Sequence, residues 1–244
     1  MPCIGTAGWS LRRDLRDRFG EGDSQLTRYA TRFGAVEINS CFYRPHRPVT
    51  YARWAGSVPA GFRFSVKLPR MITHEARLRD CGAPLRLFLE QTAALGEMRG
   101  PVLVQLPPSL RFDAEVAGGF LDLLRRCHDG PVVCEPRHAS WFTEESDALL
   151  RRHRIARVAA DPAPVPAAAL PGGWTGLHYH RLHGSPQMYS SGYGPARLDA
   201  LAARLVPGPP AWVIFDNTAQ GEAVPDALDL GRLLEERRSG TSAR

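Results

Sequence analysis

Lysine is almost absent from this sequence of 244 residues. Lys67 is the only lysine among 31 basic side chains, and the others are all arginine. Basic residues outnumber the 25 acidic ones, which gives a formal net charge of +6. A modest excess of this kind permits an anionic partner without requiring one. The charge therefore leaves both an anionic small molecule and a nucleic acid open as partners.

Cysteine is too scarce and too irregular for a disulfide framework. The chain has five cysteines, an odd number, and no C-x-x-C pair, so neither disulfides nor a zinc ribbon is indicated. The opening residues, MPCIGTAGWS, have no basic region and no long apolar run, so they do not resemble a signal peptide. No stretch approaches the ~18 apolar residues of a membrane helix. We predict a cytoplasmic protein without a membrane partner.

Common catalytic and nucleotide-binding motifs are also missing. The sequence contains no G-x-S-x-G, no Walker loop and no G-x-G-x-x-G. His74-Glu75 lacks the second histidine of H-E-x-x-H. These absences leave the function to be inferred from how polar residues are distributed along the fold.

Short apolar segments bounded by Gly or Pro recur along the chain and predict strands. They cover residues 3–9, 35–43, 62–68, 101–106, 131–136, 155–160, 176–182 and 211–216. Between them, apolar spacings of three and four predict helices over 24–33, 84–98, 113–128, 143–153, 195–205 and 223–237. About eight such repeats predict an α/β fold, a TIM-like (β/α)8 barrel.

One unit departs from this pattern. Residues 161–174 are too rich in proline for an ordinary helix, so we expect the sixth crossover helix to be short or missing. We expect a single domain over residues 1–236 and a flexible tail over 237–244.

The predicted C-terminal ends of the strands carry an unusual number of polar residues. In a barrel the chemistry lies at this face. Alternate strand residues share a face, so Glu37 points with Asn39 and Glu135 points with Arg137. If these faces turn inward, acids and bases converge at the barrel mouth. The candidate site residues are Glu37, Asn39, Lys67, Arg70, Gln105, Glu135, Arg137, Tyr179, Arg181, His183, Asp216 and Asn217.

Two kinds of chemistry fit this set. The cations Lys67, Arg70, Arg137 and Arg181 predict an anion-binding site, unless they form a purely structural network with Glu37, Glu135 and Asp216. For acid–base catalysis, we predict Glu37 or Glu135 as the base and His183 as the acid or polarising group. We assign substrate contacts to Asn39, Gln105, Tyr179, Asp216 and Asn217.

A metal site is not favoured. His178 and His180 share one face of their strand, and His183 lies on the other. Oxygen ligands from Glu37, Glu135 and Asp216 would suit Mg or Mn, which keeps a divalent metal possible. We assign no metal ligand and leave the cofactor unknown.

Several longer segments resemble one family. They are IGTAGWS (4–10), YATRFGAVEINSCFYRP (29–45), GFRFSVKLPRMITHEARL (61–78), GPVLVQLPPSLRFD (100–113), CEPRHASWF (134–142), LHYHRLHG (177–184) and WVIFDNTAQGEAVPDAL (212–228). Together they resemble the DUF72 family, also called YecE-like proteins. The resemblance implies a TIM-like barrel and no known reaction. It also implies Thr at position 41 and Asn at position 216, where this chain has Cys41 and Asp216.

We therefore expect an enzyme, hydrolase-like or isomerase-like, that acts on an anionic small molecule at the C-terminal barrel face. Two alternatives stay open: a nucleic-acid binding or processing protein, and a non-catalytic ligand sensor. The loop over residues 189–193 is either a lid over the mouth or an ordinary surface loop. The substrate and the oligomeric state stay unassigned.

Overall fold

The computed structural model describes residues 2–205 and 209–241. Its strands are β1 (Cys3–Thr6), β2 (Ala35–Ile38), β3 (Arg63–Lys67), β4 (Arg99–Gln105), β5 (Val132–Glu135), β6 (Ile155–Arg157), β7 (Ala159–Asp161), β8 (Gly172–Gly173), β9 (His178–Leu182) and β10 (Ala211–Phe215). Its helices are α1 (Gln25–Tyr29), α2 (Pro48–Ala55), α3 (Gly82–Ala93), α4 (Ala114–Cys127), α5 (Glu144–Arg152), α6 (Pro195–Leu205) and α7 (Ala223–Thr241). The predicted alternation of strands and helices is confirmed.

The strands form two parallel sheets that follow one another around a barrel-like core. One sheet has the order β1-β10-β9-β7, and the other has β2-β3-β4-β5-β6, with β8 added antiparallel at its edge. The predicted sixth strand is split at Val158 into β6, which pairs with β5, and β7, which pairs with β9. At the other junction, an isolated parallel bridge joins Ala7 to Glu37. The fold is thus TIM-like, although its ladder is not one continuous closed ring.

The backbones of β1 and β2 lie unusually close to each other at Gly5 and Ala35. A Cβ atom on Gly5 would lie 2.1 Å from the Ala35 carbonyl oxygen, so only glycine fits. The buried Tyr29 hydroxyl accepts a hydrogen bond from the Thr6 N–H (2.9 Å) and donates one to the Ala35 carbonyl (3.0 Å). One side chain from α1 therefore satisfies backbone groups on both strands of this junction.

Replacing Tyr29 with phenylalanine should cost about 1–3 kcal/mol of unfolding free energy, because it leaves two buried backbone groups without a partner. Urea denaturation of Tyr29→Phe and the wild type measures this. Tyr43→Phe is the control, since Tyr43 is 72% exposed. Equal stability of both variants would contradict a bridging role for Tyr29.

The helices begin where their capping residues predict. The Asp113 carboxylate accepts backbone N–H bonds at the start of α4, and the Thr143 hydroxyl accepts one at the start of α5. The sixth crossover contains only a short 3-10 turn over Pro166–Ala169, as its prolines predict. Helix α2 was not predicted, although Pro48 occupies a favourable first position.

Two further findings concern the chain as a whole. Helix α7 runs to Thr241, so residues 237–241 continue a helix where we expected a flexible tail, and 242–244 lie outside the described residues. The single domain over 1–236 stays a prediction. Among the described residues, no helix combines the length and apolar character needed to span a membrane.

The inner face of the strands places an apolar layer directly beneath the predicted site. Ala35, Leu103, Val133, Tyr179 and Ile214 belong to this inner cluster. Two residues further along the same strands, on the same face, stand Glu37, Gln105, Glu135, Arg181 and Asp216. The strand geometry therefore stacks one charged layer on top of the apolar one at the C-terminal end.

Candidate active site

Arg181 is the centre of the charged layer. Its side chain is 1% exposed and contacts three carboxylates. Nη2 lies 2.7 Å from Glu37 Oε1 and 3.0 Å from Asp216 Oδ2, and Nη1 lies 2.7 Å from Glu135 Oε2. We expected Arg181 to contact substrate, but the structure places it inside a buried ion network.

Glu37 is completely occupied by this network. Its Oε2 accepts hydrogen bonds from Arg181 Nε (3.1 Å) and from the Tyr179 hydroxyl (2.9 Å), and Oε1 accepts from Arg181. Tyr179 is itself buried, and its hydroxyl oxygen also lies 2.9 Å from Ser65 Oγ. Both side chains belong to the buried network, and the predicted roles of Glu37 as a base and Tyr179 as a substrate contact stay predictions.

Glu135, Arg137 and His183 meet in a tight triangle. Arg137 Nη2 lies 2.8 Å from Glu135 Oε1 and 2.7 Å from His183 Nε2, and the two latter atoms are 2.8 Å apart. His183 Nδ1 lies 2.9 Å from Asp216 Oδ2. With Nδ1 protonated the ring donates to Asp216, and Nε2 then faces both a donor, Arg137 Nη2, and an acceptor, Glu135 Oε1. The predicted convergence of Glu135, Arg137 and His183 is present.

The neighbouring cations govern the pKa values of these carboxyls. Burial alone would raise the pKa of Glu135, yet Arg137 and Arg181 hold it well below its ordinary value. Burial opposes the same change at Asp216, whose pKa is lowered by Arg181 and His183. Both groups are therefore carboxylates at neutral pH, which suits a base or a charge partner and not a general acid.

Lys67 lies apart from the ion network. It is 7% exposed, and its Nζ lies 4.0 Å from the centre of the Phe42 ring. Within residues 2–205 and 209–241, Nζ has no carboxylate within ion-pair distance and no hydrogen-bond acceptor. The buried Cys41 thiol donates to the Lys67 carbonyl (3.0 Å), and burial raises the pKa of this thiol to about 12. The local structure thus holds the lysine backbone and leaves its amine unpaired.

Other predicted residues at the mouth have unused polar atoms. Arg137 Nε and Asn39 Oδ1 are buried without a hydrogen-bond partner in the described part of the chain. Gln105 is half-buried and donates to the Leu106 carbonyl (2.7 Å). Along with Lys67, these atoms could contact a bound molecule.

Two predicted residues lie away from the cluster. Arg70 is about half exposed and forms a surface ion pair with Glu75 (3.0 Å). Asn217 points to the opposite side of its strand end from Asp216, where its Nδ2 donates to Asp226 Oδ2 (2.7 Å). These contacts do not support substrate-binding roles for Arg70 and Asn217.

The loop that follows β9 covers His183. The Tyr189 ring approaches the His183 ring edge-on, with centres 5.7 Å apart. The Tyr189 backbone N–H donates to the His183 carbonyl, and the Tyr193 hydroxyl accepts from Gly184 N–H (3.0 Å). With Tyr189 in place, His183 and Glu135 are fully buried. A lid role for residues 189–193 stays a prediction.

A surface cavity of about 480 Å³ lies between the loops that follow β1 and β10. It does not include the charged cluster, although Thr218 in its wall follows Asp216 by two residues. The volume is within the range of small-molecule sites. We place the candidate chemistry at the charged cluster, because the ionisable groups converge there.

The predicted histidine geometry is present. His180 faces α6 in a cavity with Leu198 and Leu201, whereas His183 turns into the barrel. In the part of the chain that the structure describes, no three His, Cys, Asp or Glu side chains are arranged to hold a metal ion. Glu37, Glu135 and Asp216 instead surround the Arg181 guanidinium.

These observations define an α/β protein with a TIM-like barrel and a charged cluster at the C-terminal ends of its strands. A family model described as "Protein of unknown function DUF72" matches residues 3–244. The chain belongs to the DUF72 family, as the sequence resemblance implied.

Relatives of known name agree with this assignment. The chain is similar to the UPF0759 protein YecE of Escherichia coli K12, at 32% identity over 174 residues that cover 69% of this chain. The match spans 62% of the length of YecE.

Solved structures of the family share the fold. A DUF72 protein from Thermotoga maritima MSB8 is 26% identical with a TM-score of 0.77, covering 96% of this chain and 100% of that one. A DUF72 protein from Enterococcus faecalis V583 is 22% identical with a TM-score of 0.80, covering 96% of each chain. The structure of SacUVDE, at 10% identity and a TM-score of 0.56 over 97% of this chain and 94% of that one, shows likeness of fold alone. The predicted fold class is confirmed.

Proposed function

We propose that this protein is an enzyme of the hydrolase or isomerase type that acts on an anionic small molecule at the C-terminal barrel face. The observation that carries the proposal is the uneven pairing of charges at the mouth. All three carboxylates of the cluster contact cations, whereas the Lys67 amine and Arg137 Nε have no partner among the described residues. An anionic ligand would supply the missing acceptors.

Unpaired buried donors are costly, and proteins usually satisfy them. Arg137 still has 10% of its side chain exposed, and Lys67 is 7% exposed, so both remain within reach of a ligand. A planar guanidinium binds carboxylate or phosphate oxygens in pairs. We assign Arg137 to the anionic group of the substrate.

The proton-transfer groups would be Glu135 and His183. Asp216 orients the His183 ring through Nδ1, so that Nε2 faces Arg137 and Glu135. A carboxylate that fixes one ring nitrogen is a common way to prepare the other for proton transfer. Because Tyr189 covers this histidine, the proposed reaction requires residues 189–193 to move when a substrate binds.

A thermal-shift screen of phosphorylated and carboxylated sugars tests the proposal. A ligand present at about a hundred times its Kd stabilises a protein by about 2.7 kcal/mol, which corresponds to roughly 5–10 °C for a chain of this size. We expect Arg137→Ala to remove most of this shift, measured against the melting temperature of the same variant without ligand.

Arg232→Ala is the matched control for loss of one positive charge. Arg232 lies on α7 in an exposed pair with Glu236. Its ligand-induced shift should equal that of the wild type. An undiminished shift in Arg137→Ala would rule out the assigned anion site, and turnover of a stabilising ligand would separate the enzyme from the non-catalytic sensor.

A group of arginines beside the barrel mouth supports the nucleic-acid alternative. Arg77, Arg79 and Arg111 line a cavity of about 330 Å³ beside the mouth, and Tyr43 is 72% exposed. Exposed arginines and an aromatic ring are the elements of single-strand binding surfaces. This alternative predicts oligonucleotide binding that weakens steeply with salt, and no binding at low salt would remove it.

A cytoplasmic location remains part of the proposal. All five cysteines are free thiols, three of them buried, which fits a reducing compartment.

A further inference from the structure

We propose that Lys67 forms a Schiff base with a carbonyl group of the substrate, so that the substrate class is a small aldehyde or ketone carrying an anionic group. The inference rests on the proposed function, because it places the carbonyl at Lys67 and the anion at Arg137. It adds a covalent step that neither the fold nor the family implies.

The first support is the contrast between Lys67 and the other buried cations. Three Lys or Arg residues are buried in the described part of the chain: Lys67, Arg157 and Arg181. Arg157 pairs with Asp147 (2.8 Å), and Arg181 pairs with three carboxylates. Only Lys67 of these three has no counter-ion. A mostly buried lysine without a counter-ion at ion-pair distance favours the neutral, nucleophilic amine, because burial of the side chain penalises the charged form.

The second support is the choice of residue. Apart from Lys67, all Lys and Arg residues of this chain are arginine, including the two that are buried. A guanidinium keeps its charge in any protein environment, whereas an ammonium loses its proton readily when buried. If position 67 needed only a permanent cation, arginine would serve there as it does at position 181. An amine offers chemistry that a guanidinium does not.

The surroundings agree with a reactive amine. Burial lowers the pKa of Lys67, and the nearby Arg181 lowers it further, while Glu37, Asp216 and Glu135 act in the opposite direction. The Phe42 ring covers the amine on one side. Position 67 also stands at the end of β3, at the barrel face where other strands deliver Glu135 and Asp216.

The proposed step is balanced without any further reagent. The neutral Nζ attacks the carbonyl carbon, and one proton moves from the nitrogen to the carbonyl oxygen to give a carbinolamine. A second proton, taken from solvent, lets that oxygen leave as water and gives a protonated imine. Hydrolysis later restores the amine and the carbonyl and releases that proton.

Reductive trapping tests the proposal directly, with pyridoxal 5′-phosphate as an aldehyde that carries an anion. Borohydride reduction would fix any imine as a stable secondary amine, and peptide mass mapping would locate it. Because Lys67 is the only lysine, the α-amino group of the chain is the single competing amine. We expect saturable labelling at Lys67, slowed by inorganic phosphate and faster in the folded protein than in urea.

Faster reaction in the folded state is the decisive readout, since a merely buried lysine would react more slowly than an exposed one. Slower labelling in the folded protein, or labelling confined to the α-amino group, would overturn the proposal. This wild-type measurement needs no variant to fold. Lys67→Arg should show no label at position 67.

Pyridoxal, which lacks the phosphate, separates this proposal from the proposed function. Enhanced labelling of Lys67 by both aldehydes at equal rates would support the Schiff base and contradict the anion site. A thermal shift with phosphorylated sugars and no labelling of Lys67 would support the anion site and refute the Schiff base.

Discussion

Replacing Arg181 with methionine should lower the unfolding free energy by about 3–5 kcal/mol, the cost of leaving buried charges without their partner. Arg181 is 1% exposed and contacts Glu37, Glu135 and Asp216. Methionine fills similar space but provides no positive charge. Three carboxylates would then share one buried layer with only Arg137, His183 and the more distant Lys67 to compensate.

Urea denaturation of Arg181→Met and of the wild type at about pH 7 measures the loss. Arg232→Met is the control, because its exposed pair with Glu236 should contribute less than about 1 kcal/mol. Combining Arg181→Met with Glu37→Met should recover part of the loss, since the double variant removes an unpaired charge along with its partner. Strict additivity of the two single changes would show that Arg181 and Glu37 are not energetically coupled.

The charged layer was largely predictable from strand parity. Glu135 and Arg137 were expected on one face, and they are in contact; Arg181 and His183 were also expected together, and both contact Asp216. Alternation of side chains is local geometry, so it can be read from sequence once the strands are placed.

The choice of ion partners was not predictable in the same way. The sequence placed Lys67 beside the acids, yet Arg181 takes all three carboxylates and Lys67 packs on Phe42. Partner choice depends on side-chain reach across the barrel, and the three carboxylates that Arg181 contacts lie 35 to 144 residues away in sequence. The same local reasoning predicts that Asn217, which follows Asp216 directly, points the other way.

Strand alternation could not predict the direction of the Arg70 side chain. It lies beyond β3, just before a single π-helical turn over Met71–Glu75, so strand alternation no longer determines its direction. Its contact with Glu75 is local to that turn. Likewise, residues 189–193 form a loop whose position over His183 depends on contacts with Asp161 and Asp226 that no periodicity encodes.

Glu135→Gln should destabilise the protein by about 3 kcal/mol at neutral pH, because Arg137 and Arg181 both lose a charged acceptor. The loss should depend on pH in a defined direction. The Arg137 and Arg181 side chains hold the pKa of Glu135 well below its ordinary value of 4.5 in the folded protein. A carboxyl whose pKa is lowered by folding stabilises the protein above its unfolded pKa, and this stabilisation disappears as pH falls toward the folded value.

The difference between wild type and Glu135→Gln should therefore be constant from about pH 7 to pH 5 and shrink below about pH 4.5, by up to about 1.4 kcal/mol per pH unit for one proton. Urea denaturation across this range measures it. Glu236→Gln is the control, since that carboxylate is exposed and its variant should track the wild type at every pH. Stability curves that stay parallel below pH 4.5 would mean that the Glu135 charge is not held by Arg137 and Arg181. The triangle with His183 would then be a packing arrangement, without the electrostatic preparation that proton transfer at this site requires.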